Sequence, residues 1–199
     1  MTGHQLVQIV DRAMAEAARK SGDWLACRPG CFECCLGPFA ITQIDAIRLR
    51  EGLAALDSTD PERAARVRER AHAAMERIRR EFPENPVETL FAADSAVEED
   101  QPCPALDPQT HTCDLYDARP ITCRTFGPAV RFGGDSVGVC ELCYRGATDE
   151  QIASCEVEVD TEKLEAALLN ELAQSRGLQG ETIVAFALAN SCPETGQQP

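Results

Sequence analysis

Cys27-Arg28-Pro29-Gly30-Cys31-Phe32-Glu33-Cys34-Cys35 is the stretch on which the reading of this chain turns. Closely spaced cysteines in a Gly/Pro turn are what a tetrahedral ion or an iron–sulfur cluster requires. Such a turn aims several sulfurs inward, about 2.3 Å from a metal, and closing so short a loop costs little chain entropy. Consecutive side chains usually diverge, so Cys34 and Cys35 are hard to place on one small ion. Either they serve two metals, or one ligates while the other packs or reacts.

Working outward, a second group reads Cys103-Pro104-Ala105-Leu106, then Cys113-Asp114-Leu115-Tyr116, then Arg119-Pro120-Ile121-Thr122-Cys123-Arg124. Its cysteines are too far apart for one knuckle, and the spacing suits loops returning to a common centre. Cys140 and Cys143 form a C-x-x-C, which by itself is a weak sign of metal or redox chemistry. Cys155 falls on an expected helix and reads as a small buried apolar residue, Cys192 as a bystander in the tail. The candidate metal ligands are therefore Cys27, Cys31, Cys34, Cys35, Cys103, Cys113, Cys123, Cys140 and Cys143.

Helical patterns surround these loops. Leu6, Val10, Ala13, Met14 and Ala17 share a face over residues 4–20. Thr42 and Asp45 start a helix that runs to about Leu56, with Ile44, Ile47 and Leu56 on its buried side. Asp60 caps and Pro61 opens a third, ending before Pro83. Its seven arginines between Arg63 and Arg80 interleave with Glu62, Glu69, Glu76 and Glu81, the pattern of a salt-bridged solvent face. From Phe82 to Gly146 regular patterns fade. That loop-rich stretch is acceptable in a compact domain if its five cysteines are tied to a metal. Helical patterns return at 148–155, 160–176 and 180–190, with Asp160 or Thr161 capping the second and Gly177 stopping it. The expected fold class is mainly α, with helices packed around a loop-rich cysteine and metal core. The expected organisation is a single domain over 1–190, with a motif core at 24–145, helical extensions at 1–21 and 148–190, and a flexible tail at 191–199.

Of the 199 residues 44% are hydrophobic, many of them alanine, and only 5% are aromatic. A core poor in large side chains leaves room for another source of stability, and eleven cysteines supply one. That number is odd, so a full disulfide scheme leaves a thiol over. Asp11, Arg12, Glu16, Arg19 and Lys20 interrupt the N-terminal segment, which rules out an uninterrupted signal-type apolar region. The expected compartment is the reducing cytoplasm, where such clusters bind metal or do redox chemistry. A formal charge of −14 lacks the basic footprint that nucleic acid needs. No stretch approaches the roughly 20 apolar residues of a membrane span.

The order C-x3-C-x2-C-C, then C-P-x-L, then C-x-L-Y-x2-R-P-x2-C-R resembles the CxxCxxCC family of zinc- or iron-chelating domains, the YkgJ-like cysteine cluster proteins, over residues 24–145. The resemblance implies that Cys27, Cys31, Cys34, Cys35, Cys103, Cys113 and Cys123 are ligands, with Arg119, Pro120 and Arg124 as accompanying residues. The implied cofactor is zinc or iron, an iron–sulfur cluster included. Four thiolates on one divalent ion leave a charge of −2, which calls for donors. Arg28, Arg119, Arg124 and Arg131 are placed to donate to sulfur or pair with Asp114 and Asp117, while the plainer reading has Arg119 and Arg124 bracing loop carbonyls. Seven to nine cysteines exceed the needs of one tetrahedral ion, so two sites or a multinuclear centre are expected.

Other functions fit less well. C-x3-C-x2-C is also the cluster signature of radical S-adenosylmethionine enzymes, but Glu33 stands where those have an aromatic residue, and no run of βα units follows. A related cysteine domain occurs in flagellin lysine N-methylases, which makes an enzyme acting on a protein partner one alternative. No Gly-rich nucleotide loop follows a strand here. A thiol redox catalyst using Cys140 and Cys143 is another, and metal delivery or storage a third. Hydrolysis would need an open metal position and a base, and His4, His72 and His111 offer no pairing. The sequence names no catalytic residue.

Overall fold

The computed structural model describes residues 2–83, 87, 101–136 and 138–190. Cys192 and the expected tail lie outside them. The chain divides into two compact units, each assembled from two separated segments: Met1–Cys34 with Arg119–Gln179, and Cys35–Ala118 with Gly180–Pro199. The fold is mainly α with small sheets.

In the first unit, α1 (Gly3–Ser21) begins with a capping box in which the Thr2 and Gln5 side chains and backbones satisfy one another. It buries Leu6, Val7, Val10 and Ala17, the expected face, with Ala13 and Met14 only half buried. This face packs on α4 (Ile121–Thr125), α5 (Asp149–Cys155), α6 (Leu164–Arg176) and a three-stranded sheet. The sheet orders β3 (Asp135–Ser136), β2 (Val130–Phe132) and β4 (Val157–Val159), with β2 antiparallel to β3 and parallel to β4. α5 has a second capping box, between Thr148 and Gln151. The last long helix starts at Leu164, later than its sequence pattern, because Asp160 turns back and both its carboxylate oxygens accept the first free N–H groups, from Leu164 and Glu165.

In the second unit, α2 (Gln43–Thr59) is capped by Thr42. It buries Ile44, Ala46, Leu49 and Leu53, while Ile47 and Leu56 are only half buried. α3 (Pro61–Glu81) is capped by Asp60, with Pro61 in its first turn. The expected helix at 180–190 is a strand followed by a short helix. β5 (Thr182–Ile183) pairs antiparallel with β1 (Ala40–Ile41), and α7 (Val184–Ala189) is buried at every position against α2 and α3. β-branched Thr182 and Ile183 favour the extended form, and the all-round apolar character of α7 marks it as a core helix. The core of this unit runs through Leu49, Leu53, Val67, Ala71, Ile78, Leu115 and Leu188, and Cys103 and Cys113 pack against its edge. Among the described residues no helix is long and apolar enough to cross a membrane.

Candidate metal centre

None of the ten cysteines among the described residues is joined in a disulfide. Within the first unit four of them gather. The chain leaves α1 through a short 3-10 turn, Gly22–Trp24, and reaches Cys27. A turn closed by the Cys31 N–H on the Arg28 carbonyl, 2.9 Å, then brings Cys31 back alongside. Gly127 is buried with φ +121° and lies so close to the Cys27 sulfur that a Cβ there would stand 2.9 Å from it. The Gly127 carbonyl also accepts the Cys140 N–H at 3.3 Å, so a single glycine touches Cys27 and holds Cys140.

The C-x-x-C itself is a turn, not the start of a helix. The Cys143 N–H donates to the Cys140 carbonyl at 2.9 Å, and the backbone N–H groups of Leu142 and Cys143 point at the Cys140 sulfur. N–H groups gathered on a cysteine sulfur stabilise the thiolate that a metal takes. Cys27 makes a thiol–thiol contact with Cys143, and Cys31 and Cys140 stand near enough to act on its charge. With the protons in place, crowding and desolvation oppose ionisation. The Cys27 thiol is pushed up to about 12, first by desolvation and then by Cys143. Cys140 is likewise raised, chiefly by desolvation. Cys27 is exposed as a residue, but its sulfur is the part turned onto Gly127. Among the described residues no three His, Cys, Asp or Glu side chains are grouped closely enough to hold a metal ion as they stand, so metal binding here requires the thiols to close in. Metal ligands are thiolates, so a divalent cation taken up here would displace thiol protons and offset the cost of gathering the charge.

In the second unit backbone pairing sets Cys103 beside Cys35 and Cys113 beside Leu106. Cys103 N–H donates to the Cys35 carbonyl at 2.7 Å, and Gly37 N–H to the Gln101 carbonyl at 2.8 Å. Cys113 bridges Leu106, and Asp114 N–H donates to the Ala105 carbonyl. Of the three widely spaced cysteines expected to share a centre, Cys103 and Cys113 belong to this unit and Cys123 to the first. Asp114 is buried and takes two arginines of α3, Arg63 Nε on Oδ1 and Arg70 Nη2 on Oδ2, both at 2.5 Å. Arg70 Nε also donates to the Pro104 carbonyl at 2.8 Å. α3 is therefore not only a solvent face, because two of its arginines reach inward to the cysteine loop.

The arginines of the motif act elsewhere in the first unit. Arg124 donates from Nε to the Arg119 carbonyl at 3.1 Å and from Nη1 to Asp11 at 2.6 Å, so it braces the loop and ties it to α1. Arg131 pairs with Glu156 and Glu158. Cys34 and Cys123 are half buried in the same unit, and Cys155 is a buried core residue whose thiol donates to the Lys20 carbonyl. His4, His72 and His111 are exposed.

A mainly α chain whose loops concentrate reduced thiols defines a cysteine-cluster, metal-chelating class of protein. The chain belongs to the CxxCxxCC family, described as "Putative zinc- or iron-chelating domain", whose model matches residues 26–141, more than half of the sequence. Cys143 lies just beyond the matched segment. No curated protein and no solved structure matches the chain.

Proposed function

We propose that this chain binds zinc or iron through its cysteines, and that Cys27, Cys31, Cys140 and Cys143 hold one ion. The observation that carries the reading is the contact of Cys27 with Cys143 while Cys31 and Cys140 stand beside it. Four sulfur donors saturate a tetrahedral ion, which is the arrangement of structural or electron-transferring sites rather than hydrolytic ones. A bound ion would supply cross-linking of the first unit's two segments. The residues prepare for it: Gly127 admits the Cys27 sulfur, and the Leu142 and Cys143 N–H groups receive charge at Cys140. Cys34 and Cys123 in the first unit, and Cys35, Cys103 and Cys113 in the second, supply further thiolates for additional metal, iron–sulfur chemistry included.

The same features weigh against a redox pair at Cys140 and Cys143. Reactive cysteines sit in electropositive, accessible places that lower their pKa, often at a helix N-terminus. These two are buried, and Cys140 is raised. A reducing compartment such as the cytoplasm suits ten cysteines outside disulfides.

Anaerobic purification followed by zinc and iron analysis and a visible spectrum tests the proposal. Zinc gives a colourless protein and an iron–sulfur cluster a coloured one. Absence of both metals from freshly purified protein, and failure to take up either on addition, would overturn it.

A further inference from the structure

Tyr144 follows Cys143 directly and adopts φ +55°, a left-handed conformation usually left to glycine and, for a bulky residue, a marker of a site where the surroundings dictate the backbone. Those surroundings are specific. The residue is 4% exposed. Its N–H donates to the Trp24 carbonyl at 2.9 Å, three residues before Cys27. Its hydroxyl lies 2.6 Å from Ser21 Oγ and accepts the Ala129 N–H at 2.9 Å. Ser21 Oγ donates its own hydrogen to the Ala17 carbonyl at 2.7 Å, so the proton between the two hydroxyls comes from Tyr144. A buried relay results: Ala129 N–H to Tyr144, Tyr144 to Ser21, Ser21 to the end of α1.

Each anchor leads to a different part of the quartet. Ser21 and Trp24 set where the chain leaves α1 toward Cys27 and Cys31. Ala129 is two residues from Gly127, which abuts the Cys27 sulfur and holds Cys140. Tyr144 itself continues from Cys143. One side chain therefore joins all three segments that carry or touch the four thiols, without being able to ligate through its own buried, fully used hydroxyl.

We propose that Tyr144 is a positioning residue for the site formed by Cys27, Cys31, Cys140 and Cys143, its hydroxyl fixing the C-x-x-C turn against the chain leaving α1. This rests on the quartet reading above. Tyr144→Phe keeps the ring and removes only the hydroxyl's two bonds. Outer partners of metal ligands typically change affinity by about 10–100-fold, and Tyr144→Phe should weaken zinc binding by that much in competition with a chromophoric chelator. Ser21→Ala, which removes one of the two bonds, should lose part of that affinity, and it keeps the proposal testable if Tyr144→Phe does not fold. Cobalt(II) substitution supplies the readout that general destabilisation would not move: both variants should alter the thiolate–cobalt bands at saturating cobalt. Wild-type zinc affinity and cobalt bands in both variants, alongside metal loss in Cys143→Ser, would overturn the role of Tyr144 alone. Undiminished metal in Cys143→Ser would overturn the quartet, and this proposal with it.

Discussion

Arg70 joins the two cysteine-bearing strands of the 101–115 loop, with Nη2 on the buried Asp114 carboxylate at 2.5 Å and Nε on the Pro104 carbonyl at 2.8 Å. Pro104 follows Cys103 and Asp114 follows Cys113. One guanidinium therefore ties together the residues that follow the two cysteines, and Arg63 completes the neutralisation of Asp114. The planar fork makes both bonds at once, which a lysine cannot do.

Asp114→Ala should be strongly destabilising. It leaves two guanidiniums facing a buried gap, and breaking such pairs costs about 3–5 kcal/mol. The arginines are partly exposed, with side-chain accessibilities of 36% and 25%, so the lower end is expected, about 3 kcal/mol. Arg70→Lys keeps the charge and loses the fork, for about 1–2 kcal/mol. Urea unfolding of the metal-free protein measures both. Equal, negligible effects would show that the clasp is ornamental.

Gly127→Ala should damage the first unit's thiol quartet selectively. The new Cβ would meet the Cys27 sulfur at 2.9 Å on a backbone at φ +121°. Strain of that kind costs about 1–3 kcal/mol, and the sulfur must move. Metal stoichiometry should fall by one ion. Retention of full metal would mean that the Cys27 sulfur has another place to bind from.

At Gly52 two effects compete. Replacing a helical glycine with alanine ordinarily gains about 1 kcal/mol. Here the added Cβ would overlap the Ala118 Cβ, and overpacking costs about 1–3 kcal/mol. Ala118 has no flexible end to yield, so Gly52→Ala should lower stability in urea. A gain would mean that the 116–118 turn can shift freely.

Asp107 gives a pH signature. Its exposed carboxylate accepts the Gln109 and Thr110 N–H groups at 2.8 and 3.4 Å, and these bonds, Gln109 first, hold its pKa below the ordinary value. A depressed carboxylate pKa stabilises the turn above the unfolded value, about 4, and that contribution disappears as pH falls through the folded value. The amide NMR shifts of Gln109 and Thr110 should therefore titrate below about pH 4, and in Asp107→Asn they should not.

Caps and breakers made the long helices legible. Thr42, Asp60 with Pro61, and Gly177 stand where the sequence places them. Short strands were not legible, because two or three residues carry no periodicity, and Thr182–Ile183 passed for helix beside the alanine-rich α7. The cysteines declared themselves by type and spacing. Their grouping did not, because it depends on chain crossings: Cys140 and Cys143 join Cys27 through Gly127, more than a hundred residues away along the chain. The arginines of α3 misled for a related reason. Interleaved charge signals a solvent face, yet Arg63 and Arg70 lie seven residues apart, two turns along one side, and that side meets Asp114. Tyr144 carried no signal, since its left-handed backbone is visible only once folded.

The most direct test of the account is metal-dependent thiol protection, read by alkylation and mass spectrometry on the intact protein loaded with zinc and then stripped by a chelator. The account predicts that Cys27, Cys31, Cys140 and Cys143 are protected together and released together, while the protection of Cys155 is unaffected by the metal. Alkylation of Cys140 and Cys143 at the same rate with and without metal, while Cys27 and Cys31 are protected, would contradict it.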